Sequence, residues 1–132
     1  PVAPGTFGTL LGIPLVLALW PLGPLAYALV VLALAILGVW ICERAGRRLG
    51  QGDHGAIVWD EIVGYAIGLW LITPTWPWLL AGFLLFRGFD ILKPWPVGWA
   101  DRRVGGGLGV MLDDMLAGLY TLAVLQLANQ FL

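Results

Sequence analysis

Four carboxylates stand in two adjacent pairs, Asp60–Glu61 and Asp113–Asp114, each near the start of a long apolar stretch. Carboxylates are hard oxygen ligands, and without a cation such groups gathered at one place repel one another. A divalent ion relieves that repulsion. Mg²⁺ in particular is held through a few carboxylates together with phosphate oxygens of a substrate. Neighbouring residues project about 100° apart on a helix, so one acid of each pair can face the bundle while the other orients it or bonds nearby backbone. The competing reading is that these acids cap helices or pair with Arg87, Lys93 or Arg102.

Other groups extend the possibilities. His54 can be a general acid, a ligand or an interfacial polar residue. Arg87 stands three residues before Asp90, on the same helical face. Arg87 and Lys93 suit a phosphate, the first as a two-pronged donor and the second as a point charge; each serves equally as a structural partner of Asp90. Thr6, between Gly5 and Gly8, is expected at a helix N-terminus, which favours anions. Asp53 reads as a helix cap. Arg44, Arg47 and Arg48, and also Arg102 and Arg103, read as orienting charges that attract anionic lipid.

The positioning elements are apolar. Of 132 residues 60% are hydrophobic and 11% charged, against roughly 25% charged in soluble domains, so the surplus apolar surface is expected to face lipid. The length suits one domain spanning 1–132, an all-α, multi-pass helical membrane bundle of four to five helices. Pro1 in place of an initiator methionine implies that an N-terminal extension is missing, and nothing at the start resembles a signal peptide. Thr9–Trp20 is too short to cross (~20 residues are needed) and contains Pro14, so the first element is expected to be short or re-entrant. A turn over Pro4–Gly8 precedes it. Helices follow over Leu25–Cys42, Ala56–Ile72, Trp78–Leu92 and Leu108–Leu132.

All seven Lys and Arg fall in 44–48, 87–93 and 102–103, whereas 20–24 and 73–77 carry no charge and lie beside Trp20, Trp76 and Trp78. That is the positive-inside pattern with an aromatic belt on the opposite side. It places the charged face in the cytoplasm. At 1.5 Å per residue, Asp60–Glu61 and Asp113–Asp114, about one turn inside the starts of their helices, and Asp90, just before the end of its own, fall in one slab. Intramembrane acids mark functional sites.

Several chemistries are excluded. The net charge of −1 gives no basic footprint for nucleic acid. Cys42 is a single cysteine in an apolar helix, with no environment evident that would lower its pKa, so it reads as packing. One histidine excludes a two-histidine phosphatase. What survives is metal-assisted attack by water, or less readily by an aspartate, on a phosphoryl group. A rival class, a small cation transporter, needs polar groups at several depths, and the rest of the chain is dry; a structural membrane subunit is a third reading. Five short elements around a lipid site also suit a homo-oligomer.

Four blocks in order, Pro4–Leu10, Asp53–Gly55 with Val58–Glu61, Phe86–Asp90 with Lys93–Pro96, and Gly106–Asp114 with Ala117–Gly118, resemble those of the phosphatidylglycerophosphatase A family. The resemblance implies a bacterial inner-membrane enzyme that hydrolyses phosphatidylglycerophosphate to phosphatidylglycerol and phosphate with Mg²⁺ as cofactor. It implies an essential set of Asp60, Glu61, Asp90, Asp113 and Asp114, supported by His54, Arg87 and Lys93. The family ordinarily has more chain before the Pro-Gly-Thr segment.

Overall fold

The computed structural model describes the backbone of residues 2–49, 54–92 and 106–131, with side chains over 8–41, 59–92, 111–112 and 114–131. Every regular element among these is helical: α1 (Val2–Leu19), a 3₁₀ turn (Trp20–Leu22), α2 (Pro24–Leu49), α3 (His54–Gly68), α4 (Trp76–Leu92) and α5 (Gly106–Phe131). The expected all-α architecture holds.

The first element departs from expectation. α1 is one continuous helix of 18 residues with Pro14 inside it, and the expected Pro4–Gly8 turn is part of it. Pro14 removes one hydrogen bond, but it lies on the exposed face, where a helix bends most easily around its core. On the inner face a Cβ on Gly12 would press on the ring of Tyr65 at 2.8 Å, so α1 lies tight against α3. Packing of that face outweighs the local break. α2 likewise continues past its expected limit at Cys42 to Leu49, so that the basic run 44–48 is helical.

Short turns join α1 to α2 and α3 to α4. Gly23 has φ 93°, a conformation glycine adopts freely. α3 ends through Leu71 at φ 65°, with the Ile72 amide donating to the Leu69 carbonyl at 3.1 Å. Hydrogen bonds from side chains then fix the register. The Trp59 indole donates to the Leu34 carbonyl (3.0 Å), the Tyr27 hydroxyl to Ala66 (2.6 Å) and the Trp70 indole to Pro24 (3.0 Å). As the α3 number rises the α2 number falls, so the two helices are antiparallel. Gly82 packs on Leu69 while Arg87 reaches Glu61, making α4 antiparallel to α3 as well. α5 runs parallel to α3, because Gly64 meets Gly118 and Gly68 meets Thr121.

This topology gathers the starts of α3 and α5 and the ends of α2 and α4 at one end. The opposite end, with Trp20–Pro24 and the turn after α3, carries no charge. α3 is central: Val63, Tyr65 and Ala66 are all within 1% of complete burial. Outward faces stay apolar, with Leu25, Leu29, Ile36, Trp40, Leu84 and Leu92 exposed. Among the described residues one helix segment, Pro24–Ile41, is long and apolar enough to cross a membrane.

Candidate active site

α3 presents Asp60 and Glu61, α5 presents Asp114, and α4 presents Arg87 and Asp90. Carboxylate oxygens of Asp60, Glu61 and Asp114 lie within 4.8 Å of one another. Their residues are 3%, 4% and 2% exposed, which is rare for acids unless they are paired or coordinate a cation. Both members of the Asp60–Glu61 pair are therefore inside.

Arg87 ties the third helix to the cluster. Its Nη1 donates to Glu61 Oε2 at 3.1 Å and to Asp90 Oδ2 at 2.6 Å. The Asp90 contact was legible from the i, i+3 spacing. The Glu61 contact was not, although the common depth of the two residues was a signal for it. Arg87 Nε is buried and makes no hydrogen bond, so this N–H is left unpaired in the interior.

The acids lie deeper than anticipated. Asp60 is six residues from the start of α3 and Asp114 eight from the start of α5, about 9 and 12 Å along the axes. Each helix begins two residues before its sequence-derived limit, which adds about half a turn. Thr6 is not at a helix N-terminus; it falls in the second turn of α1, where its amide is already within the helical ladder. His54 opens α3, but its side chain, those of Asp113 and Thr6, and the whole of Lys93 lie outside the described residues.

Among the described residues, four carboxyl groups, Asp60, Glu61, Asp90 and Asp114, gather with one guanidinium, Arg87. The three that converge are all oxygen donors without a histidine or thiolate among them, a set suited to a hard divalent cation rather than a soft metal. A phosphoryl group brought to such a cation would meet a fixed positive charge and a buried N–H donor in a dry setting, where electrostatic stabilisation is most effective.

The described residues form an all-α bundle that buries a cluster of three acids, able to hold a metal ion, beside a guanidinium at one end. The chain belongs to the phosphatidylglycerophosphatase A family, whose sequence model matches residues 1–129, and so to a family of phosphatases. It is 43% identical over 126 residues to phosphatidylglycerophosphatase A of Escherichia coli K12, covering 95% of this chain and 73% of that protein. It is 44% identical over 124 residues to phosphatidylglycerophosphatase A of Haemophilus influenzae, covering 92% and 76%. A putative phosphatidylinositol-3-phosphatase of Bacteroides thetaiotaomicron is 37% identical over 137 residues, covering 98% of this chain and 85% of its own. No solved structure matches the chain.

Proposed function

We propose that this chain hydrolyses phosphatidylglycerophosphate to phosphatidylglycerol and phosphate, with Mg²⁺, at the cytoplasmic face of a bacterial membrane. The observation that carries the reading is the convergence of Asp60, Glu61 and Asp114 within 4.8 Å, in a chain whose relatives in E. coli and H. influenzae carry that enzyme's name. Asp60, Glu61 and Asp114 would hold the ion, with Asp113 a further candidate. Bound there, the ion supplies a Lewis acid for the phosphoryl oxygens and an activated water.

The chain's own residues do the rest. Arg87 fixes the orientation of Glu61 and Asp90, offsets part of their charge and offers Nε–H to a phosphate oxygen. Asp90 keeps Arg87 pointed into the cluster. A carboxylate of the cluster, or His54 at the start of α3, aligns the attacking water. Lys93 and Thr6 remain candidate contacts to the substrate. Positioning and charge stabilisation supply most of the rate in phosphoryl transfer, which suits so small a scaffold.

The membrane reading is multi-pass, with the described domain embedded as a whole. Support comes from the exposed apolar faces of α1, α2, α4 and α5, from Trp20 and Trp76 at the uncharged end, and from the basic residues at the other end. The relative named as a phosphatidylinositol-3-phosphatase supports a second headgroup as an alternative substrate. Charged groups confined to one end argue against an ion path across the bilayer.

The test is phosphate release by the purified chain in detergent micelles, with phosphatidylglycerophosphate and phosphatidylinositol 3-phosphate compared side by side. Release from the first, abolished by EDTA, restored by Mg²⁺ and lost in Asp60→Asn, is the expected result. Turnover that survives both EDTA and Asp60→Asn would sink the reading.

A further inference from the structure

A crevice of about 270 Å³ runs between α2 and α5 over the flank of α3. One end is formed by Ala35 and Met115. Met115 directly follows Asp114, and Ala35 lies one turn from Gly38, whose Cβ position falls against Trp59 and Met111. That end therefore adjoins the acid cluster. The lining then steps away through Val31 to Tyr27, Trp70 and Leu122, about 10 Å along α5 from Met115, toward the uncharged end.

Every lining residue is apolar or has its polar tip occupied. The Tyr27 hydroxyl is spent on the Ala66 carbonyl at 2.6 Å and the Trp70 indole on the Pro24 carbonyl at 3.0 Å. A polar ligand would lose its hydration there with nothing in exchange, whereas hydrocarbon loses nothing. The crevice is open along its side, where Leu32 and Leu119 stand exposed, so an occupant can slide in laterally between two helices. Beyond Tyr27 and Trp70 it adjoins a second recess under the Trp20–Pro24 turn.

We infer that this crevice seats an acyl chain of the same lipid whose phosphate meets the acid cluster, an inference that rests on the phosphatase reading above. A lipid phosphate held beside Asp114 leaves its glycerol at that depth, and its tails can run only toward the uncharged end. The crevice begins at that point and follows that direction. It thereby sets both the depth of the headgroup and a preference for long chains.

Two measurements test this. A phosphatidylglycerophosphate bearing a diazirine midway along an acyl chain is photolysed with the wild-type protein and the labelled peptides are mapped. Label within 27–35 and 115–122 is expected; label confined to α1 or α4 overturns the proposal. Independently, Ala28→Phe narrows the crevice and should lower the ratio of kcat/KM for a dioleoyl over a short-chain substrate roughly tenfold. Leu29→Phe, on the exposed face beside it, leaves that ratio unchanged. An unaltered ratio in Ala28→Phe overturns the crevice while sparing the phosphatase reading. Absence of turnover by wild type on either substrate defeats that reading instead, and labelling still reports whether a chain lies in the crevice.

Discussion

Gly118 of α5 lies against the carbonyl oxygen of Gly64 of α3 so closely that no side chain fits between the two helices. One turn before each glycine stands an acid, Asp60 before Gly64 and Asp114 before Gly118. The glycine crossing is what lets carboxylates from two parallel helices share one small volume. Small residues commonly allow such close approach in apolar surroundings.

Gly118→Ala should therefore wedge α3 from α5. The added methyl group costs about 1–3 kcal/mol by overpacking, more than the ~1 kcal/mol that alanine gains in helix propensity. A lower melting temperature in detergent, together with weaker metal binding, is expected. Gly88→Ala is the control, since nothing lies within 4 Å of that Cβ position, and it should hold or raise stability. Equal behaviour of the two variants would remove the crossing from the explanation.

Arg87→Met removes the cation shared by Glu61 and Asp90 and leaves two carboxylates facing a gap. Breaking a buried pair on one side costs about 3–5 kcal/mol. Adding Asp90→Asn should recover part of that loss, because the two residues are direct partners. Calorimetry of the single and double variants gives the coupling; purely additive effects would contradict the bridge.

Asp60→Asn and Asp114→Asn each remove a carboxyl group from the proposed ligand set while keeping its shape. Both should weaken Mn²⁺ binding, measured by electron paramagnetic resonance on the protein without substrate, by at least tenfold. Circular dichroism should report the same helix content as wild type. Undiminished Mn²⁺ affinity in both variants would place the ion elsewhere.

The Tyr65 hydroxyl donates to the Leu79 carbonyl at 2.7 Å, stapling α3 to the first turn of α4. Tyr65→Phe should cost about 0.5–1.5 kcal/mol, read as a lower melting temperature. No change would mean that water or another donor replaces the hydroxyl at no cost.

Much of this was legible in the sequence because helices are metrically regular. A fixed rise per residue puts Asp60, Asp90 and Asp114 at one level as soon as the helix directions are known, and the charge pattern supplies those directions. Rotation about each axis is not legible in the same way. That Glu61 turns inward beside Asp60, and that Arg87 reaches it across a helix boundary, depends on where α4 leans against α3 through Phe86 and Gly64. Pro14 misled for a related reason: its local cost is readable, but the face of α1 that meets Tyr65 is not. Thr6 fell inside a helix once the break before it disappeared.

The bridge from Glu61 through Arg87 to Asp90 is almost sealed, its side chains 6%, 10% and 12% exposed. Mobile counterions weaken charge pairs only where they can approach them. The cluster should thus keep its arrangement from dilute buffer to strong brine, so that whatever ionic strength does to turnover reports on the headgroup's approach from water and not on the machinery that receives it.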